Sequence, residues 1–133
     1  MTFLDTSELV GALLEKHPQH AACLRALEAC VDPITDAHAL AETFATLTGF
    51  YRVPTEAASE LTLGLKEVVR IKALPLDDYA TAISQARQRG IMGAGIYDSL
   101  HATFARREGA KRVITRNPGH FAHAAPELEI TAP

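Results

Sequence analysis

The sequence predicts a single α/β domain over residues 1–133, built on a central parallel sheet of four to five strands. Short apolar segments alternate along the chain with helical patterns of about ten residues or more, which is typical of strands joined by crossover helices. The apolar segments are continuous, as expected of strands that are buried on both faces. The length suits one domain, and no repeat or linker divides the chain.

The predicted elements follow from apolar spacing and from capping residues. Thr2-Phe3-Leu4 is an apolar run that leads directly into Asp5, a residue type that caps helices. Asp36 stands in the same position after the second apolar run. Strands are predicted at 2–4, 31–36, 68–74, 112–115 and 128–130, helices at 8–14, 23–30, 37–47, 54–65, 77–89 and 96–107, and a turn at 117–119.

The composition indicates a soluble globular protein. Apolar residues make up 47% of the chain and charged residues 22%. No apolar run approaches the roughly 18 residues that a membrane helix needs, and the N-terminus lacks the features of a signal peptide. We therefore expect a cytoplasmic protein with no membrane partner. In a reducing cytosol, Cys23 and Cys30 are expected to be buried thiols.

The charges are unevenly distributed. The net charge is −3, but residues 1–85 hold 6 Lys and Arg against 12 Asp and Glu, whereas residues 86–133 hold 7 against 4. This basic final third can guide a polyanion towards a binding site. It can equally consist of cations that stabilise the C-terminal ends of helices, and the sequence does not separate the two explanations.

Three carboxylates stand where a globular protein tolerates them poorly. Asp5 closes an apolar strand, while Glu42 and Asp98 lie in helical segments of mostly apolar and small residues. Burying a lone carboxylate costs several kcal/mol unless it is paired, hydrogen-bonded or bound to a metal. Each has a simpler explanation, as an N-cap or as the polar edge of an amphipathic helix. Their combination favours a functional site.

The predicted sheet gives these acids a common location. In parallel α/β sheets, ligands bind beyond the carboxyl ends of the strands, where Asp5, Asp36, His38 and residues 115–117 are expected. Carboxylates that converge there repel one another without a cation, and together they offer oxygen ligands suited to Mg²⁺ or Mn²⁺. Such an ion can activate a water molecule and hold a phosphodiester. That chemistry needs no catalytic His or Cys.

Four segments, in order along the chain, resemble the motifs of PIN-domain nucleases. Phe3-Leu4-Asp5-Thr6-Ser7 is similar to their first strand and first acid, and Ala41-Glu42-Thr43-Phe44 to the helix with the second acid. Residues 95–102 are similar to the helix with the third acid, and residues 113–121 to the closing strand and turn. The order, spacing and total length resemble the VapC-like toxins of toxin–antitoxin modules over essentially the whole chain.

The resemblance implies a three-layer α/β/α fold, Mg²⁺- or Mn²⁺-dependent cleavage of RNA, a homodimer, and a small antitoxin that docks near the site. It implies that Asp5 and Asp98 hold the metal. The implied catalytic residues are Asp5, Glu42, Asp98 and Asn117, and the implied substrate contacts are Ser7, Thr115 and Arg116. The chain departs from the family at Asn117, where many members carry a fourth acid, so we expect weaker metal binding.

Two alternatives to a toxin stay open at this point. A non-catalytic domain of the same fold can bind RNA or a protein through the basic final third, and Asn117 in place of an acid favours this reading. A processing nuclease that is not a toxin is the other. A zinc site is disfavoured because the six histidines are scattered, and residues 90–95 lack the Lys and Ser or Thr of a phosphate-binding loop.

Overall fold

The computed structural model describes all 133 residues, in five strands and seven α-helices. The strands are β1 (Thr2–Leu4), β2 (Pro33–Asp36), β3 (Arg70–Lys72), β4 (Arg112–Ile114) and β5 (Glu129–Thr131). The helices are α1 (Thr6–Leu13), α2 (His20–Ala29), α3 (Ala37–Gly49), α4 (Thr55–Gly64), α5 (Leu76–Arg89), α6 (Gly95–Glu108) and α7 (Pro118–Ala124), and a short 3-10 helix covers Leu65–Glu67. None of the helices is both long and apolar enough to cross a membrane.

The five strands form one parallel sheet in the order β3-β2-β1-β4-β5. Phe3, in the central strand β1, is in register with Ile34 of β2 on one side and with Val113 of β4 on the other. The chain first builds the sheet outwards from β1 through β2 and β3, and then places β4 and β5 on the opposite side. Ligands in such sheets bind outside the carboxyl ends of the strands at the point where the order reverses. Here that point lies between β1 and β4.

Apolar clusters pack on both faces of the sheet. Successive residues of a strand point to opposite faces, so Phe3 of β1 joins a cluster with Phe104 and Phe121, while Leu4 joins another with Leu9. All five side chains are fully buried. Helices therefore cover both faces, and the predicted three-layer α/β/α fold with a parallel sheet is confirmed.

The structure corrects several predicted boundaries. Strand β3 covers only Arg70–Lys72, because the chain just before it forms the 3-10 helix. Helix α1 covers Thr6–Leu13, so it begins two residues before the predicted helix at 8–14 and ends one residue before its end. Helix α7 is absent from the prediction, which placed only a turn at 117–119. It begins at Pro118, where the missing N–H of proline costs no hydrogen bond, and it is held to the core by Phe121.

Helices α1 and α2 approach each other closely at Gly11. A Cβ atom at this position would lie 2.4 Å from Sγ of Cys23 and 3.5 Å from Cδ of Arg116. Glycine is therefore the residue that fits without moving α2. Cys23 is buried and Cys30 is only partly buried, and both are free thiols, so the expectation of buried thiols holds fully for Cys23 alone.

Glu8, in the first turn of α1, is buried without a hydrogen-bonding partner. Its side chain has no exposed surface, and neither carboxylate oxygen accepts a hydrogen bond. Burial raises the pKa of Glu8 to about 7, although the neighbouring Cys23 thiol and the Arg116 charge oppose the shift. The thiol lies close enough to favour the charged form, but without the geometry of a full hydrogen bond. Ionisation of Glu8 therefore opposes folding.

Replacing Glu8 with Gln is expected to make the stability less dependent on pH. Because the folded-state pKa is raised, the contribution of protonated Glu8 is fully present below about pH 4.5 and is lost as the pH rises through about 7. Urea unfolding at about pH 5 and pH 8.5 measures this loss, which should be roughly 1–3 kcal/mol in the wild-type protein. A loss of the same size in Glu8→Gln would contradict the assignment.

Candidate active site

A cavity of about 680 Å³ lies at the point where the strand order reverses. Its lining includes Asp5 from the end of β1, Glu42 from α3, Asp98 from the first turn of α6 and Asn117 from the segment after β4. The four residues predicted to be catalytic thus line one cavity, although they come from distant parts of the sequence. The segment between α5 and α6 forms another part of the wall.

Asp5 is held in place by two hydroxyl groups. It is the N-cap of α1, and its Oδ2 atom accepts hydrogen bonds from Ser7 Oγ at 2.7 Å and from Thr115 Oγ1 at 2.8 Å. The backbone N–H of Ser7 lies 3.4 Å from the same oxygen. These interactions all involve Oδ2, which leaves Oδ1 of Asp5 without a protein donor.

Asp98 faces Asp5 without a compensating hydrogen bond from the protein. Nδ1 of His120 lies 3.8 Å from Oδ2 of Asp98. Burial, followed by the negative charge of Asp5, raises the pKa of Asp98 to about 6, although His101 and His120 oppose this shift. The two carboxylates therefore repel each other across the cavity.

Glu42 has a different environment, because a buried histidine binds it. Nε2 of His101 donates to Oε1 of Glu42 at 2.7 Å, and Nδ1 of His101 donates to Oδ2 of Asp36 at 2.6 Å. Burial alone would lower the pKa of His101, but the two carboxylates outweigh burial and raise it to about 10. His101 is therefore an imidazolium ion at neutral pH. A second histidine, His38, is also close to Glu42, with its Nε2 atom 3.5 Å from Oε1.

The three predicted substrate contacts have structural roles in this arrangement. Thr115 is fully buried and donates to Asp5, so its hydroxyl orients Asp5, and its contact with substrate stays a prediction. Ser7 Oγ donates to Asp5 and accepts from the backbone N–H of Arg116 at 2.9 Å. Nε of Arg116 donates to the Ser7 carbonyl oxygen at 2.6 Å. Ser7 and Arg116 both line the cavity, where their contact with substrate stays a prediction.

The basic final third contributes little charge to the cavity. Of its seven Lys and Arg residues, Arg116 alone lines the cavity, together with His120 and His123. Four of the others donate to protein oxygen atoms elsewhere on the molecule: Arg89, Arg106, Arg107 and Arg112. The attraction of a polyanion to this site therefore depends mainly on the lining residues themselves.

The donor set of the cavity fits a divalent ion that keeps most of its water ligands. No three His, Cys, Asp or Glu side chains converge tightly enough to enclose a metal ion by themselves. Mg²⁺ is commonly bound through only one or two carboxylates, with water in the remaining positions. Asp5 Oδ1 and the Asp98 carboxylate both lack protein donors, and a cation between them would relieve their repulsion. The residues present fit such an ion.

Sequence reasoning missed the interaction between His101, Asp36 and Glu42. The sequence placed Asp36 at the ligand-binding edge of the sheet and His101 among six scattered histidines, but it gave no reason to pair the two. One signal was present, because Asp98 and His101 are three residues apart and share a helix face. The partners of His101, however, are 65 and 59 residues away along the sequence. No local sequence pattern predicts contacts over such separations.

A five-stranded parallel sheet with acids gathered at its carboxyl edge defines a PIN-type α/β domain. The chain belongs to the PIN domain family, whose model matches residues 2–126, and this confirms the family resemblance. No curated protein is significantly similar to the chain in sequence.

Several solved structures are similar to this chain. VapC20 of Mycobacterium tuberculosis, described as a sarcin-ricin loop cleaving toxin, is 20% identical, with 97% of this chain and 99% of that chain covered and a TM-score of 0.81. VapBC2 of Rickettsia felis, bound to a promoter DNA fragment, is 19% identical, with 99% and 98% covered and a TM-score of 0.71. FitAcB of Neisseria gonorrhoeae is 20% identical, with 98% and 96% covered and a TM-score of 0.70. At these identities the similarity concerns the fold.

Mn²⁺ is expected to stabilise the folded protein through Asp5 and Asp98. An ion that binds only the folded state raises the Tm, so at about pH 7.5 the rise should be clear in the wild-type protein and much smaller in Asp98→Asn. Near pH 5 the rise should shrink, because the pKa of Asp98 is about 6 and protons compete with the ion. Differential scanning fluorimetry measures these shifts. Equal shifts in both proteins would exclude Asp98 as a ligand.

Proposed function

We propose that this chain is a Mg²⁺- or Mn²⁺-dependent endoribonuclease and the toxin of a toxin–antitoxin pair. The observation that carries the proposal is the pair of unneutralised carboxylates, Asp5 and Asp98, facing one cavity at the carboxyl edge of a PIN-family sheet. The description of VapC20 as a toxin that cleaves the sarcin-ricin loop supports RNA as the class of substrate.

Different residues that line or adjoin the cavity have different roles in the proposed reaction. Asp5 Oδ1 and Asp98 would hold the ion, which when bound supplies Lewis-acid polarisation of the phosphodiester and a more acidic water. Ser7 and Thr115 orient Asp5 through Oδ2. Arg116, whose Nε is held by the Ser7 carbonyl, contributes positive charge beside the phosphate. Asn117 lines the same cavity and offers an amide in place of a fourth acid.

Cleavage of RNA should depend on both metal-binding acids. Asp5→Asn and Asp98→Asn keep the shape of each side chain but remove its charge, so each should lower the cleavage rate in Mn²⁺ by at least about 100-fold. The rates are measured on a labelled single-stranded RNA with purified protein. Asp77→Asn, which alters an exposed acid at the start of α5, is the matched control and should keep full activity. Undiminished cleavage by Asp5→Asn or by Asp98→Asn would contradict the proposal.

The toxin assignment calls for a partner that restrains the activity. VapBC2 was solved as a toxin–antitoxin complex on DNA, and we propose a comparable small antitoxin that docks near the cavity of this chain. Controlled expression with and without an adjacent small gene tests this, with growth and RNA integrity as readouts. RNA cleavage in vitro without growth arrest would instead favour a processing nuclease.

We also propose that the protein is a homodimer, because α5 exposes an apolar stripe. Leu76 and Ile83 are 81% and 64% exposed, and Tyr79 lies between them at helical spacing. Burying such a stripe against a second copy would be favourable. Sedimentation should show a dimer for the wild-type protein and a larger monomer fraction for Ile83→Lys. A monomer at all concentrations would exclude the dimer.

A non-catalytic RNA-binding domain is the second candidate. Two observations favour it, namely Asn117 in place of an acid and the commitment of Glu42 to His101. It predicts RNA binding that EDTA does not alter and no cleavage in any divalent metal. The cleavage assay described above separates the two functions directly.

A further inference from the structure

The fully buried His101 links the interior of the fold to the cavity. It lies on α6, and its two ring nitrogens bind carboxylates from two other elements. Asp36, at the end of β2, is also fully buried, whereas Glu42, on α3, is partly exposed and lines the cavity. The three side chains therefore form a continuous hydrogen-bonded chain, defined here as the Asp36–His101–Glu42 relay.

A proton on each ring nitrogen of His101 supplies a donor for both hydrogen bonds of the relay, because an ionised carboxylate offers only acceptor atoms. The raised pKa of His101 agrees with this assignment. Asp36 is held independently, because its Oδ1 atom accepts from the backbone N–H of Ala39 at 2.8 Å. The relay therefore comprises two negative charges and one positive charge, with the positive charge in the middle. Such a buried group is costly unless each member is satisfied, and here each member is.

The relay gives Glu42 properties that Asp5 and Asp98 lack. Oε1 of Glu42 is occupied by His101 at 2.7 Å, so only Oε2 remains without a protein donor. The neighbouring imidazolium offsets the carboxylate charge and weakens its attraction for a cation. It also restricts the rotamer of Glu42, because the other end of the histidine is anchored on β2.

We propose that Asp36 and His101 are positioning residues that fix Glu42 and offset its charge, so that Glu42 serves the cavity as an oriented hydrogen-bond acceptor and not as a metal ligand. The inference rests on the proposed nuclease function and deepens it. Glu42 Oε2 accepts a hydrogen bond from the attacking water, while Asp5 and Asp98 provide the charge that holds the ion. A general base works through such a fixed acceptor geometry.

Mn²⁺ binding without RNA tests the division of roles. Free Mn²⁺ is measured by electron paramagnetic resonance in titrations of wild-type protein, Asp98→Asn, Glu42→Gln and His101→Gln. Asp98→Asn should weaken binding by about 10- to 100-fold. Glu42→Gln and His101→Gln should bind within about threefold of wild type or, for His101→Gln, more tightly, because an offsetting positive charge is lost. Equal weakening in Glu42→Gln and Asp98→Asn would overturn the proposal.

Kinetics at saturating Mn²⁺ test the positioning role. His101→Gln should lower kcat by about 10- to 100-fold with little change in KM for RNA, because a misplaced acceptor affects the reaction more than binding. Thr103→Val is the matched control, since it removes another buried polar contact on α6, to the Ser99 carbonyl, away from Glu42. It should keep the wild-type kcat. An unchanged kcat in folded His101→Gln would reject the role of the relay.

Nuclear magnetic resonance keeps the inference testable if His101→Gln does not fold. In wild-type protein at neutral pH, both ring N–H protons of His101 should be protected from exchange. In Glu42→Gln the Nε2 proton resonance should shift or exchange faster, whereas in Asp98→Asn it should not. An unaffected His101 in Glu42→Gln would refute the relay. If the wild-type protein cleaves no RNA, the proposed function fails, but the Mn²⁺ and resonance measurements still decide the inference.

Discussion

Electrostatic repulsion between the carboxylates of Asp5, which is buried, and Asp98, which is partly buried, is the constraint on which the cavity depends. After burial, the charge of Asp5 is the largest influence that raises the pKa of Asp98. The fold holds Asp5 in this position because Thr115, just after β4, donates to Asp5, just after β1. The pairing of the two central strands therefore holds the acid in place, and the α1 N-terminus adds the Ser7 donor.

A second pair of acids at the same edge of the sheet is stabilised in the opposite way. Asp36 and Glu42 both bind the ring of His101, and the three groups together keep a net charge of about −1. The protein itself thus offsets part of the charge of this pair, while the charge of Asp5 and Asp98 is left for a cation from solution. The contrast separates the acids that a buried histidine orients from the acids that remain free to bind a cation.

The sequence predicted those features of the site that depend on where the strands end. Asp5 and Asn117 follow apolar runs, and the parallel sheet rule then places them at one edge. The features that it could not predict depend on long-range burial. Helix α7 was hidden because Asn117-Pro118-Gly119 has the composition of a turn, and only the burial of Phe121 against the core extends it into a helix. The complete burial of Thr115 and its hydrogen bond to Asp5 likewise depend on contacts between distant residues.

The contact between α1 and α2 has a consequence for how this protein can diverge. Gly11 carries no functional group, yet a methyl group there would displace Cys23 of α2. Gly11 lies on α1, the helix whose N-terminus is capped by Asp5. A conservative-looking mutation at this position would therefore disturb the packing of the helix that begins at the acid. Any larger side chain at position 11 requires α2 to move, which restricts the residues that can replace this glycine during evolution.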